Sequence, residues 1–264
     1  MIRRAFVAIF FVFPLLLMAD PQTSVWEGYK RLDFEVDGRE CLLVVPHKAA
    51  PGNPWIWRTE FFGHEPQADL ALLALGYHVA YMDVQNMYGA PKALEHMDNF
   101  YDHLVMEYRL SPKVFLEGFS RGGLFAFNWA ARHPHQVAGL YVDAPVCDFK
   151  SWPAGKGKGA GSPPDWERCK EIYGLSEEDA LTYEFNPIDN LEPLAEAKIP
   201  ILSICGDADT VVPLAENTAI VEQRYKALGG PIEVIVKPGI GHHPHSLPDP
   251  KPIVDFVLKH TPKS

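Results

Sequence analysis

An apolar run, Val114-Phe115-Leu116, leads straight into Gly118-Phe119-Ser120-Arg121-Gly122, and a helical stretch from Gly123 to Arg132 follows at once. A chain that passes from strand to helix in so few residues must turn sharply. The Gly-x-Ser-x-Gly pattern is a form of that turn that holds a serine hydroxyl out of the sheet on a strained backbone. Glycines two residues before and after the serine remove Cβ atoms that would collide where strand and helix pass closely. The bland alternative, a Gly/Ser-rich loop, gives no reason for a strand on one side and a helix on the other.

The remaining chain keeps the same rhythm. Tyr29 to Val36 alternates like an edge strand, Asp37-Gly38 is a hairpin turn signal, and Arg39 to Val45 returns. Trp55-Ile56-Trp57 reads as a short strand, Pro66 to Leu75 as a helix, Tyr77 to Met82 as a strand and Pro91 to Tyr108 as an amphipathic helix. Val137 to Val142, Ile199 to Ile204 and Ile232 to Val236 read as strands, with helices at Leu214 to Leu228 and Pro252 to His260. Between about 146 and 197 the rhythm breaks, at the flexible run Gly155 to Gly161 and a helix from Asp165 to Tyr173. The expectation is one α/β domain over 20–264, with a mainly parallel sheet flanked by helices and a lid insertion at about 146–197. At 264 residues and 47% hydrophobic content, such a domain needs no metal or disulfide to fold.

Arg3 and Arg4, the apolar stretch Ala5 to Met18, then Ala19 and Asp20-Pro21-Gln22 have the layout of a signal peptide. Its apolar part, roughly 14 residues, is short for a membrane span of about 20. We therefore expect residues 1–19 to be removed on export to the periplasm or outside, with no stable membrane insertion afterwards. A formal net charge of −10 with no basic stripe argues against nucleic acid as a partner. Of the four cysteines, Cys41 and Cys205 fall in strand-like runs and read as buried thiols. Cys147 and Cys169 bracket the irregular segment and are the pair to suspect of a disulfide in an exported chain.

A serine hydroxyl needs a base within hydrogen-bond reach and a third group to hold that base. Histidine suits the base role, since its unperturbed pKa of about 6.5 leaves it able to take a proton near pH 7. The run Gly239-Ile240-Gly241-His242-His243-Pro244-His245 follows the last strand. His242 is the favoured base there, ahead of His243 and His245. Three histidines in so short a run also suit a metal, but Pro244 and the lack of a nearby carboxylate pair count against one. The acid should follow the strand Ile199 to Ile204, in Gly206-Asp207-Ala208-Asp209-Thr210-Val211-Val212-Pro213. Asp209 lies further over the strand end and is favoured, with Asp207 as a turn residue. Asp143 and Asp148 are weaker alternatives.

These segments, with serine, acid and histidine in that chain order, resemble the α/β-hydrolase superfamily over nearly all of the chain after the export segment. The resemblance implies the α/β-hydrolase fold with an eight-stranded type of sheet. The Gly-Asp-x-Asp-x-x-Val-Pro form looks like the esterase and prolyl-oligopeptidase-like branches, where the second aspartate, here Asp209, is the triad acid. The whole chain is similar to exported single-domain bacterial hydrolases associated with polysaccharide breakdown. It departs from many relatives in lacking His-Gly after the strand that serves the oxyanion hole. Here the hole should use the Arg121 N–H and one near Arg58, with Trp57, Arg58 or Thr59 as donor.

Arg58 and Arg121 together suit bidentate capture of a substrate carboxylate, and Trp57, Phe61, Phe62, Trp152 and Trp166 suit an apolar or sugar-stacking wall. The opposing reading pairs the arginines with Glu60, Glu65 or Glu117 and puts the aromatics in the core. The expected activity is serine hydrolysis of a small or polysaccharide-borne ester, of methyl, acetyl or aromatic acyl type, without a cofactor. Prolyl-oligopeptidase-like peptidase activity is the first rival, though the chain lacks room for a gating propeller. Small-ligand binding without turnover is the second.

Overall fold

In the computed structural model the described residues are 21–262, so residues 1–19, expected to direct export, lie outside them. Nine strands form one sheet: β1 (Gln22–Trp26), β2 (Tyr29–Val36), β3 (Arg39–Val45), β4 (Trp55–Arg58), β5 (His78–Met82), β6 (Val114–Phe119), β7 (Val137–Asp143), β8 (Ile201–Gly206) and β9 (Ile232–Lys237). Their order is β1-β2-β3-β5-β4-β6-β7-β8-β9. Pairing is antiparallel from β1 through β3 to β5 and parallel from β5 to β9. The turn between β2 and β3 has Asp37 and Gly38 both at positive φ, as a type I′ hairpin requires. An earlier hairpin, turning at Glu27 and Gly28, adds β1, which the sequence reading did not include.

Helices α1 (Gln67–Ala74), α2 (Pro91–Glu107), α3 (Gly122–Arg132), α4 (Pro163–Tyr173), α5 (Glu177–Leu181), α6 (Glu192–Glu196), α7 (Thr218–Ala227) and α8 (Lys251–His260) cover the sheet. The two-residue period of the strands sorts the core into two layers. Trp55, Trp57, Val114 and Leu116 pack with α2, α3, α6 and α7 on one face. Ile56, Phe115 and Phe119 pack with α1 and α8 on the other.

The segment between β7 and β8 carries α4, α5 and α6. A third apolar cluster, with Phe149, Trp166, Cys169 and Val212, joins this segment to Tyr88 and Leu124. Ser162, rather than Asp165, precedes α4, and Asp165 accepts from the Tyr88 hydroxyl at 2.6 Å. The glycine run at 155–161 is not free: Glu216 accepts from the Lys158 N–H and from the Ser151 hydroxyl. Cys147 and Cys169 are buried free thiols, which corrects the suspected bridge; burial pushes both thiols above their usual range.

Candidate active site

Strand order reverses at β4 and β6: the chain steps from β4 outward to β5, then crosses back to β6 on the other side of β4. Loops leaving the carboxyl ends of these two strands diverge to opposite faces and open a crevice between them. Ser120 lies directly after β6 at φ 49°, a left-handed conformation costly for a residue with a side chain. A Cβ on Gly118 would stand 2.8 Å from the Gly122 carbonyl oxygen, and one on Gly122 would stand 3.2 Å from Thr59 Oγ1. The tight passage of strand, helix and β4 loop therefore requires both glycines. Ser120 N–H donates to the Asp143 carbonyl at 2.9 Å, and its own carbonyl accepts from Gly123 and Val146.

His242, from the loop after β9, has Nε2 2.9 Å from Ser120 Oγ. Its Nδ1 is 2.7 Å from Asp209 Oδ2. A carboxylate accepts only, so the proton sits on Nδ1 and the Nε2 lone pair faces the serine hydroxyl. Burial opposes the charge on Asp209, but donation from His242 and from the Val212 and Val211 N–H groups holds its carboxyl below the usual range. Asp207 has a separate task. It accepts from Gly239 N–H at 2.6 Å, while Ala208 N–H donates to the Ile240 carbonyl, and so the loops after β8 and β9 are stitched together.

Asp143, at the end of β7, serves a second imidazole. It accepts from His245 Nδ1 at 2.9 Å and from Ser246 N–H at 2.8 Å. His64, from the loop after β4, meets His243 and His245 edge to face, each at 5.8 Å between ring centroids. Burial and the neighbouring imidazoles keep His64 and His243 below the usual histidine range.

Several residues expected to touch substrate have other duties. Arg58 is 1% exposed and lies beneath the loop, paired with Asp69 at 2.8 Å and Glu117 at 3.1 Å. It also donates to the Phe61 and Glu65 carbonyls, so the two-arginine carboxylate clamp does not form. Arg121 is drawn to Glu60 at 2.7 Å and to Asn86 at 3.1 Å, its guanidinium between the Phe61 and Tyr88 rings. Trp57 is 1% exposed, stacks with Trp55 and meets Trp129 edge to face in the core. Trp152 is half-buried against Tyr88, and Trp166 is buried in the third cluster.

The oxyanion donor expected from Arg58 also moves. Trp57 and Arg58 belong to a central strand paired on both sides, and Thr59 N–H donates to the Glu117 carbonyl at 2.9 Å. Among the described residues, the N–H groups of Glu60, Phe61 and Arg121 have no acceptor. Glu60 N lies 3.8 Å from the Cβ position of Gly122, so the loop after β4 reaches the elbow. The positive φ of Phe61, 54°, turns that loop.

Residues 43–168 match the α/β hydrolase fold family. Among solved structures, the Pyrococcus horikoshii acylaminoacyl peptidase superposes with a TM-score of 0.65 at 14% identity, covering 95% of this chain and 44% of that one. The chain has the α/β-hydrolase fold. Dipeptidyl peptidase 4 of Porphyromonas gingivalis gives a TM-score of 0.62 at 15% identity over 85% of this α/β-hydrolase-fold chain and 33% of its own. A membrane phospholipase A described as a bacterial virulence factor gives 0.51 at 19% identity, over 81% and 80% of the two chains. The chain thus spans less than half the length of either peptidase. No curated protein matches it by sequence.

Proposed function

We propose that this protein is an exported serine hydrolase that cleaves carboxylic esters through an acyl-enzyme, acting on acyl groups carried by neutral glycans. The observation that carries the reading is the unbroken chain from Asp209 through His242 to Ser120 Oγ, ending beside unpaired N–H groups. Ser120 Oγ adds to the ester carbonyl while its proton passes to His242 Nε2. Asp209 offsets the imidazolium charge. The Arg121 N–H, with that of Glu60 or Phe61, receives the oxyanion, each donor being worth about 3 kcal/mol in the transition state. His242 then gives its proton to the departing alcohol, and water repeats the steps on the acyl-enzyme.

The glycan clause rests on the crevice. An open depression of about 1930 Å³ holds Ser120 and His242 at one end and reaches Tyr81, Phe34 and Tyr108 along the sheet edge. Asp33, Glu35, Glu40, Asp83 and Glu107 line it, against the single guanidinium of Arg31. Such a rim repels polyuronates and free carboxylates. It therefore favours acetyl or aromatic acyl esters on neutral chains over methyl esters set among free uronates, and aromatic rings suit sugar faces.

The shape shared with two peptidases favours a second reading, amide hydrolysis by the same triad. Fluorophosphonate labelling of Ser120, followed by turnover of p-nitrophenyl acetate, proline p-nitroanilide and acetylated, feruloylated and methyl-esterified glycans, separates the two. Ser120→Ala should abolish labelling and lower kcat by several orders of magnitude. Turnover unaffected by that substitution would sink both readings, and turnover of the anilide alone would sink the esterase.

A further inference from the structure

His64, His243 and His245 stand together at the rim of the crevice, brought from the loops after β4 and β9. One ring nitrogen from each lies within 4.8 Å of those of the other two. We propose that these three imidazoles bind a divalent transition metal of the Zn²⁺ class, with a fourth position open toward Ser120. Tetrahedral ligation at a Zn–N length of about 2.0–2.1 Å needs nitrogens about 3.3 Å apart. The exposed His64 and His243 have to close gaps of up to about 1.5 Å toward the fixed ring of His245.

His245 is built as a ligand. It is 3% exposed, and its Nδ1–H donates to the Asp143 carboxylate, which leaves Nε2 as the ligating atom. Asp143 is itself held by Ser246 N–H at 2.8 Å and approached by Lys237 Nζ at 3.5 Å. A carboxylate that orients a histidine from behind is the supporting arrangement found around protein-bound zinc, where it fixes tautomer and ring orientation. A packing histidine in a surface loop has no need of a fully buried carboxylate. The ligand set, three imidazoles with no thiolate or carboxylate in the first position, suits Zn²⁺ and its borderline neighbours rather than Ca²⁺ or Mg²⁺.

The cation has His242 for a neighbour, whose ring lies 5.0 Å from that of His243 and 4.9 Å from that of His245. Metal binding does not depend on the proposed ester turnover.

The test uses mature protein free of any polyhistidine tag. Zn²⁺ is titrated by calorimetry, and Co²⁺ by the visible absorption that marks tetrahedral nitrogen ligation. The expected result is one equivalent per chain, with affinity falling at least tenfold in His64→Gln and in His243→Gln, both exposed positions that the fold does not need. Asp143→Asn should weaken binding by about 10–100-fold through His245. Absence of a stoichiometric site, or one whose affinity in both exposed-histidine variants equals that of the wild type, overturns the proposal. Circular dichroism of each variant guards against reading unfolding as lost ligation.

Discussion

Arg58 shows how a charge can sit against Phe119, the residue before Ser120, and still belong to the core. Ile56 and Arg58 share a face of β4, and that face looks toward α1 and α8. Alternation along the strand was enough to assign it; nearness to the strand end is a poor guide to exposure. Burial pushes the Glu117 carboxyl well up, despite Arg58, and the nearby Asp69 raises it further. Removing the guanidinium strands a buried carboxylate, so Arg58→Met should cost about 3–5 kcal/mol. Urea unfolding measures it, and an unchanged midpoint would refute the assignment. Glu60 gives a pH signature. Burial raises its carboxyl from 4.5 to about 7, against the opposing pull of Arg121. Between those values the folded state holds the extra proton, so stability falls as pH rises through that window and stays reduced above it. Glu60→Gln removes that loss. Relative to wild type, the variant should gain about 2–3 kcal/mol between pH 5 and pH 8, read from paired urea melts at the two pH values.

At the level of elements, the stitched loops after β8 and β9 decide where Asp209 and His242 meet. Asn217 extends that stitching to the insertion. The helix expected from Leu214 to Leu228 is interrupted there, with a short 3-10 turn at Leu214–Glu216 and α7 starting at Thr218. The break frees the Asn217 side chain to accept from Cys147 N–H at 2.8 Å and donate to Ser151 Oγ and the Pro213 carbonyl at 3.1 Å each. Hydrophobic periodicity carries on through such an interruption and does not reveal it. Asn217→Ala should cost about 2–3 kcal/mol by orphaning a buried N–H. It should also lower kcat, because the Asp209 loop ends at Pro213. A variant with wild-type melting and wild-type kcat would deny Asn217 that role. The elbow and the segments bearing Asp209 and His242 were legible because local turn chemistry fixes them. The free N–H groups of Glu60 and Phe61 were not, since they depend on how β4 pairs with β6. The His245–Asp143 pair was equally hidden: its partners come from β7 and the loop after β9, and no spacing along the chain links them.

For the molecule as a whole, the sheet sets chemistry at one rim and charge along the edge that leads to it. The chain carries a formal net charge of −10, and the lining of the crevice has the same sign. Asp83, directly after β5, and Glu40, in the neighbouring strand β3, line the same crevice as Ser120. The field from such a rim acts before contact, so it should appear in kcat/KM and hardly in kcat. Two acetylated oligosaccharides of equal length, one neutral and one bearing uronic acids, separate this effect from fit. The neutral one should be turned over at least tenfold more efficiently at low salt. At about 0.1 M salt the screening length is about 10 Å, so the gap should narrow steeply as salt rises. Neutralising the rim by Asp83→Asn with Glu40→Gln should narrow it at low salt as well. A preference that ignores both salt and these substitutions belongs to shape at the triad, and the acidic edge would then have no part in choosing the substrate.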